Sequence, residues 1–380
     1  MPAFIRALGT ALPTHRIAQS DIVEFMIRAH GLDIEAAHRL RVLYRASGIQ
    51  YRHSVLADYG GESDFFSARE DLEPFPTTAQ RMKRYEEEAL PLAIEALQKA
   101  RPATQDWADI THLITVSCTG MYAPGLGIDL IQALGMRPSV QRTAINFMGC
   151  YGAVIGLRTA ADICKAHPDA QVLVVCVELC TLHIQQEADP DTLLAQALFG
   201  DGAGAAWVSP EPGEGLNLAL DHFATDLAVS GYDEMAWHIR DHGFVMRLSA
   251  EVPGIIRAGI EELTHRLLAT REWQKPPLWA IHPGGKRILQ VIGEALGIPR
   301  SEMEASYAIM RNYGNMSSTT LLFVLAHLWE SLADKDAGRP VIGLAFGPGL
   351  TMESMQLRVH VSDQAPIQAS YAIPQSQPAV

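Results

Sequence analysis

Three side chains in glycine-flanked settings could together carry out thiol chemistry. Cys150 lies where an apolar, strand-like run ends and a run of small, helix-forming residues begins. The start of a helix favours a thiolate over a thiol, so this position suits a nucleophile. His282 and Asn315 lie on separate glycine-flanked segments that could converge on the sulfur. The trio would supply a nucleophile, a group that handles its proton and a donor to a developing oxyanion.

Each of these residues also has an ordinary structural interpretation. A lone cysteine is usually a small buried hydrophobe, and a histidine at the end of an apolar strand can belong to the core. The Pro-Gly-Gly turn after His282 is expected to expose the imidazole ring rather than bury it, which favours a functional role. Tyr-Gly-Asn is good turn chemistry, so the residues alone favour a turn role for Asn315.

The surrounding elements alternate between strands and helices. Apolar runs predict buried strands at 111–118, 171–177 and 203–208. Apolar periodicity predicts helices at 86–100, 252–270 and 317–333. The segment 209–215, rich in proline and glycine, is the clearest break. The pattern is typical of an α/β protein with buried strands.

Composition excludes several classes of function. The formal net charge of −13 gives no electrostatic reason to expect a nucleic-acid or anionic-membrane partner. The sequence contains no signal-peptide pattern and no apolar run of about 18 residues, so neither secretion nor a membrane span is expected. The five cysteines are an odd number, which indicates reduced thiols and a cytoplasmic location. Cys176 and Cys180 lack a second pair of ligands at metal spacing, so a zinc site is not expected.

Six motifs occur in a characteristic order along roughly residues 1–360. They are INFMGCYGAV (145–154), QALFGDGA (196–203), VPG (252–254), WAIHPGG (279–285), NYGNMSS (312–318) and FGPGLT (346–351). The set resembles the type III polyketide synthases, the chalcone-synthase-like branch of the thiolase-fold condensing enzymes. Each motif alone is weak, but no packing requirement would place all of them together.

The resemblance implies a fold, and the predicted boundaries follow from it. It implies a thiolase-like α/β fold made of two related halves, with buried central sheets packed around shared helices. One half, residues 1–212, would carry the nucleophile, and the other, residues 213–360, would carry the histidine and the asparagine. Residues 361–380 have little periodicity and are expected to form a loose tail.

The resemblance also implies roles for the three polar residues. Cys150 would hold an acyl group from an acyl-CoA starter as a thioester, and His282 would lower the pKa of its thiol. His282 and Asn315 would stabilise the enolate formed when malonyl-CoA loses carbon dioxide. Repeated condensation and cyclisation would give a pyrone or a resorcinol-type product. The family resemblance further implies a homodimer that needs no cofactor beyond coenzyme A thioesters.

Further residues are expected to shape the cavity. Phe199 matches the family's gatekeeper phenylalanine, whereas Met246 stands where the family has a second one, and Trp237 stands where plant members have glycine. Chalcone formation is therefore not expected. Ser317 and Pro348 belong to motifs that border the cavity, and Cys118 fits a pocket wall or the core equally well.

Coenzyme A phosphates would require a local basic patch, because the chain as a whole is acidic. Arg39, Arg41 and Arg45 fall in the segment that holds these phosphates in the family. However, Val42 and Ala46 stand where plant members carry basic residues, so the match is incomplete. The three arginines are equally consistent with the solvated face of a helix.

Three alternative functions are considered. A type III ketoacyl carrier-protein synthase shares the catalytic trio, but its histidine is typically followed by Gln-Ala-Asn rather than Pro283-Gly284-Gly285. A papain-like cysteine hydrolase would match the spacing from Cys150 to His282, but its Cys-Gly-Ser-Cys-Trp signature is missing. A non-catalytic scaffold would have no need of an intact trio.

Overall fold

The computed structural model describes residues 2–362, except 63, 68, 70, 71, 188 and 269–274. The strands are β1 (Ala3–Ala11), β2 (His15–Ala18), β3 (Tyr51–Ser54), β4 (His112–Ser117), β5 (Gln141–Asn146), β6 (Val172–Leu179), β7 (Asp201–Ser209), β8 (Gly215–Leu227), β9 (Met235–Arg240), β10 (Gly243–Leu248), β11 (Leu278–Ile281), β12 (Pro340–Gly347) and β13 (Thr351–Ser362). The helices are α1 (Gln19–Ala29), α2 (Ile34–Ser47), α3 (Thr78–Lys99), α4 (Leu126–Leu134), α5 (Gly152–Ala166), α6 (Pro190–Gln196), α7 (Val252–Leu268), α8 (Lys286–Leu296), α9 (Glu304–Tyr313) and α10 (Thr320–Trp329). None of these helices is long and apolar enough to cross a membrane.

One mixed sheet runs through both predicted halves of the chain. Its strand order is β11-β12-β13-β8-β1-β7-β6-β4-β5. The halves meet where β1 pairs antiparallel with β8, as in the pair Ala3 and Leu220. The predicted pair of sheets is therefore joined edge to edge into a single sheet. Strands β9 and β10 form a separate two-stranded sheet, and so do β2 and β3.

The central strands are buried on both faces, which explains their continuous apolar sequences. All residues of β6 and β7 are buried. Helix α3 packs on one face of these strands, and helices α5 and α10 pack on the other. The predicted strands at 111–118, 171–177 and 203–208 correspond to β4, β6 and β7, and the predicted α/β class is confirmed.

The predicted helices differ from the observed ones at their ends, and α10 stops at Trp329, four residues before the predicted end at 333. Helix α3 begins eight residues before the predicted residue 86, because Thr77 and Gln80 form a capping box there. Helix α10 begins at Thr320, since residues 317–319 form a 3₁₀ turn. Helix α7 begins at the predicted residue 252, and the last two predicted residues, 269 and 270, lie outside the described part of the chain. Residues 361 and 362 of the predicted loose tail belong to β13, and the rest of that tail is outside the described residues.

Candidate active site

The segment between β5 and α5 forms a tight elbow that presents Cys150. Phe147 has a φ of 59° and Gly149 a φ of 76°, both in the left-handed region, which is unfavourable for phenylalanine. A Cβ at Gly149 would lie 2.2 Å from the Cδ of Pro348, so only glycine lets the 347–349 loop pack against the elbow. A 3₁₀ turn over Gly149–Tyr151 leads directly into α5. Cys150 is therefore held at the start of a helix, with 5% of its surface exposed.

Asn315 is fixed through its backbone to the segment that carries Phe199. Its N–H donates to the carbonyl of Leu198 at 2.9 Å, and its own carbonyl accepts from the N–H of Gly200, also at 2.9 Å. These two bonds form an isolated bridge between Phe199 and Asn315. Asn315 and the gate predicted at residue 199 are thus joined directly through the backbone.

Hydrogen bonds fix the orientation of the Asn315 side chain. The backbone N–H of Ser317 donates to the Oδ1 atom at 2.9 Å, so the other end of the amide is the donor Nδ2. That nitrogen lies 3.9 Å from the Sγ of Cys150 and 3.4 Å from the carbonyl oxygen of Gly284. The amide is therefore placed to donate to an oxygen bound next to the sulfur.

His282 follows β11 and faces the same space. Its backbone N–H donates to the carbonyl of Leu344 at 2.8 Å, which anchors the residue at the end of the sheet. The expectation that the following turn exposes the ring was wrong: only 1% of the residue is exposed. Both ring nitrogens lack a partner among the described residues. The ring borders a small enclosed cavity with Cys150, Asn315, Phe199 and Met246, so it is shielded from solvent next to the other two members of the trio.

Burial acts on the thiol and the imidazole in opposite directions. It raises the pKa of Cys150 to about 12 and lowers the pKa of His282 to about 3, because each charged form loses its hydration. The predicted helix effect at the elbow is thus outweighed by desolvation. A thiolate alone or an imidazolium alone is therefore unfavourable here, and transfer of one proton from the sulfur to the ring would create both charges together.

Substituting His282 with alanine is expected to slow alkylation of Cys150 at neutral pH. Without the imidazole no neighbouring base can take the proton, and burial holds the pKa of the Cys150 thiol well above the neutral range. The thiolate fraction would then be small at neutral pH and would rise about tenfold per pH unit. Rates of iodoacetamide labelling at Cys150, measured by peptide mass spectrometry across the neutral range, check this. Equal pH profiles for the variant and the parent would contradict a role for His282 in activating the thiol.

A larger chamber adjoins the small cavity and shares Cys150, Phe199 and Met246 with it. Six of the residues singled out in the sequence border it together with Cys150: Cys118, Phe199, Trp237, Met246, Ser317 and Pro348. Phe199 and Met246 border both spaces, as a gate would. Cys118 belongs to the wall as well as to the buried set, and its Sγ accepts from the N–H of Gly149 at 2.9 Å.

Trp237 and Met246 face the chamber from the β9–β10 hairpin. They are directly opposite each other in its antiparallel register, so their side chains emerge on the same face. The indole Nε1–H of Trp237 donates to the carbonyl of Cys118 at 2.7 Å, which fixes the ring against the wall. The ring also makes edge contacts with His183 and Phe244. This face of the hairpin forms a bulky, well-anchored wall.

Variants at Trp237 and Met246 are expected to change product size more than turnover. Trp237→Gly should enlarge the chamber and permit bulkier intermediates or a further extension, and Met246→Phe should disfavour long or bulky starters. A hydrophobic pocket discriminates by about 1–3 kcal/mol per methylene, so the shifts should be graded. Product profiles by mass spectrometry across a starter series check this. His238→Ala, on the opposite, exposed face of β9, is the control, and unchanged profiles in both chamber variants would contradict the assignment.

Sequence reasoning missed Glu178, a wholly buried carboxylate beside the site. It accepts from the N–H of Cys118 at 3.0 Å and from the hydroxyl of Thr119 at 2.8 Å. It also accepts from the hydroxyl of Ser318, which ties the Asn315 loop to the sheet. The available signal was the single charge within the apolar strand 172–179, since a buried carboxylate needs several donors.

Helix α2 places its three arginines on the outside of the molecule. Arg39 pairs with Glu35 on the same helix. Arg41 donates from Nε and Nη2 to the two carboxylate oxygens of Glu24 at 2.7 Å. Arg45 is exposed on the same helix. None of the three is among the side chains that border the chamber.

Sequence models of one enzyme family match most of the chain. The sequence model of the chalcone and stilbene synthases, N-terminal domain, matches residues 1–212. The model of the C-terminal domain of these synthases matches residues 221–361. Together they cover the segments that carry Cys150, His282 and Asn315.

Individual relatives and solved structures that are similar to this chain are also polyketide synthases. The chain is 31% identical to the alpha-pyrone synthesis polyketide synthase-like Pks18 of Mycobacterium tuberculosis, over 93% of this chain and 90% of that protein. It is 31% identical to type III polyketide synthase A of Arabidopsis thaliana, over 94% and 92%. Its fold matches the C-terminal type III polyketide synthase domain of Steely1 from Dictyostelium with a TM-score of 0.86 at 28% identity, over 95% of this chain and 100% of that domain. It matches PKS-I of the brown alga Ectocarpus siliculosus equally well, with a TM-score of 0.86 at 28% identity over 94% and 98%.

The fold, the converging trio and these similarities point to one family of acyltransferases. The predicted thiolase-like fold is confirmed by the structural matches. Enzymes of this family condense units from acyl-CoA and malonyl-CoA. The chain belongs to the chalcone and stilbene synthase family and is a type III polyketide synthase.

Proposed function

We propose that the enzyme loads an acyl-CoA starter onto Cys150, extends it with malonyl-CoA, and releases a pyrone or a resorcinol-type product. The observation that carries this proposal is the meeting of Cys150, His282 and Asn315 around one enclosed cavity that adjoins a larger chamber. A nucleophile and two donors suffice for loading and decarboxylation. The chamber offers space for a growing chain.

The first step is acyl transfer to the sulfur. His282 takes the proton from the Cys150 thiol as the sulfur attacks the thioester carbonyl of the starter. The bond from the acyl carbon to the coenzyme A sulfur breaks, and the departing thiolate takes the proton back from the imidazolium. The acyl group is then held as a thioester on Cys150, and both catalytic side chains are neutral again.

The second step is decarboxylative condensation. The carbonyl oxygen of malonyl-CoA accepts hydrogen bonds from a ring N–H of neutral His282 and from the Nδ2 of Asn315. Loss of carbon dioxide leaves the bonding electrons in an enolate, whose negative oxygen these donors stabilise by about 3 kcal/mol each. The enolate carbon attacks the acyl group on Cys150, a carbon–carbon bond forms, and the thiolate leaves. The extended chain then returns to Cys150 for another cycle.

The protein's own cavity is proposed to select the starter and the mode of ring closure. Met246 replaces an aromatic gate with a flexible thioether, which gives a more adaptable wall. This replacement favours a long acyl starter. The reaction as proposed needs no metal, nicotinamide or phosphopantetheine arm, and Arg39, Arg41 and Arg45 on exposed α2 would bind the phosphates of coenzyme A.

We further propose that two copies of the chain pair through β5. Within the described part of the chain, this strand has a sheet neighbour on one side only, β4. Residues 141–144 are all exposed, and because successive side chains alternate, both faces of the strand are open. Met121 and Met148 beside it are 41% and 37% exposed. An uncovered edge with apolar flanks suits isologous pairing of two subunits, which sedimentation equilibrium would detect.

The five free, buried cysteines suit a reducing cytoplasm.

A starter series tests the proposed function. Purified enzyme is incubated with malonyl-CoA and acyl-CoA starters from acetyl to long fatty acyl, and products are identified by mass spectrometry. We expect pyrones or resorcinol-type products without any carrier protein. Products that form only with malonyl carrier protein would favour a ketoacyl carrier-protein synthase activity instead. Peptide hydrolysis without condensation would favour a cysteine hydrolase.

A further inference from the structure

One buried arginine borders the chamber and has a hydrogen-bond donor that the described residues leave unpaired. Arg52 on β3 is 3% exposed and belongs to the chamber wall. Its Nε donates to Gln19 at 2.9 Å, and its Nη1 donates to the carbonyls of Gln196 and Phe199 at 2.8 and 2.6 Å. Its Nη2 has no hydrogen-bond partner among the described residues. An unmet buried donor on a charged group is costly, which calls for an explanation.

The other polar groups at this end of the chamber are satisfied by the protein. The hydroxyl of Tyr59 donates to the carbonyl of Thr181 at 2.8 Å, and the hydroxyl of Thr181 donates to Asp201 at 2.6 Å. The amide nitrogen of Gln185 donates to backbone carbonyls that include that of His183. Arg52 therefore differs from its polar neighbours in having a donor left for a bound molecule.

The surroundings favour a neutral oxygen as the acceptor. Buried Asp201 interacts with Arg52 through charge, so the guanidinium already has a counter-charge and does not require an additional anion. A ketone oxygen can accept from a guanidinium without adding charge. A chain that grows by two-carbon units carries such an oxygen on every second carbon, whereas a plain alkyl starter carries none.

We propose that the Nη2 of Arg52 binds a ketone oxygen on the acyl chain in the chamber. The chain is thereby held at one register relative to Cys150, and oxygenated chains are preferred over alkyl chains of equal length. This inference rests on the proposed function, since it concerns the same chamber. Arg52 also has a structural task, because its Nη1 holds the Phe199 carbonyl and that residue bridges to Asn315. Removing the whole side chain would therefore abolish the Nη1 contact with Phe199 together with the proposed Nη2 contact with the ketone.

The first test uses the parent enzyme. Pairs of acyl-CoA starters of equal length are compared, one plain alkyl and one with a ketone placed at successive carbons. Release of coenzyme A in the first condensation gives kcat/KM. We expect one ketone position to be favoured over its alkyl partner by roughly 10- to 100-fold, as a hydrogen bond to a charged group provides. A ratio near one at every position would overturn the inference, as would stronger preference for a chain that ends in a carboxylate.

The second test compares two buried arginines. Arg52→Lys keeps the charge but loses the fork of donors, so the ketone-to-alkyl ratio should fall towards one. Arg81 is the matched control, because it is wholly buried, has an unpartnered Nη2 and does not border the chamber. Arg81→Lys should leave the ratio unchanged, and thermal denaturation shows whether each variant is folded. An unchanged ratio in folded Arg52→Lys would overturn the inference, and if that variant does not fold, the ratio in the parent enzyme decides.

The experiments distinguish a failure of the proposed function from a failure of the role proposed for Arg52. If no starter of either type condenses with malonyl-CoA, the proposed function fails and this inference fails with it. If ketone and alkyl starters condense equally well, the proposed function stands and only the role of Arg52 is overturned.

Discussion

Cys150→Ala is expected to abolish polyketide formation, with a loss in kcat of at least about 10⁴-fold. The sulfur is the atom that holds the starter in the proposed mechanism, and a methyl group cannot form a thioester. The residue lies at the elbow before α5, where alanine fits without strain on the fold. Coenzyme A release and product mass spectrometry measure the loss. The variant should also lack the labelled peptide that iodoacetamide gives in the parent.

Cys164→Ala is the matched control for this experiment. Cys164 is a buried cysteine on α5, the helix that follows the Cys150 turn, but it lies in the apolar core away from the chamber. Its substitution should lower stability slightly and leave the reaction intact. Undiminished polyketide synthesis by Cys150→Ala would overturn the proposed mechanism.

Asn315→Ala is expected to suppress decarboxylation of malonyl-CoA by roughly 10²- to 10³-fold, the usual effect of removing one oxyanion donor. Loading should survive, because Cys150 and His282 remain. Intact-protein mass spectrometry should therefore still show the acyl adduct on Cys150. Decarboxylation is followed by the conversion of malonyl-CoA to acetyl-CoA.

Asn312→Ala provides a control from the end of α9, three residues before Asn315. The amide nitrogen of Asn312 donates to the carbonyl of Ala308 at 2.9 Å and takes no part in the chamber wall. This variant should decarboxylate at the parental rate. If Asn315→Ala also does so, Asn315 is a turn residue and the ordinary interpretation of Tyr-Gly-Asn is right.

Local sequence was sufficient for the buried strands and for choosing Cys150 and His282 as candidates, because each depends on short-range signals. Strand β6 is apolar throughout apart from one carboxylate, and Cys150 and His282 each lie at a change of pattern beside glycine. Asn315 needed the ordered set of motifs, since its own segment is also a good turn. The start of α3 was missed because the capping box at Thr77 lies outside the apolar periodicity.

The sequence does not show which side chains that lie far apart along the chain come into contact. Glu178 accepts from residues about 60 positions earlier and 140 positions later in the chain, and no local pattern relates them. The burial of His282 depends on Phe199 and Met246 closing the cavity around it. The spare donor of Arg52 is visible only once every other polar partner has been located.

The β9–β10 hairpin is a separate two-stranded sheet, whereas His282 directly follows β11 and Cys150 lies four residues after β5, both strands of the nine-stranded sheet. Its Trp237 and Met246 border the chamber without belonging to the scaffold that aligns the sulfur and the imidazole. Inherited changes in this hairpin can therefore alter which molecule is made while the bond-forming chemistry stays intact. Related enzymes would then diverge in product first at these positions, because substitutions there change the product with little loss of turnover.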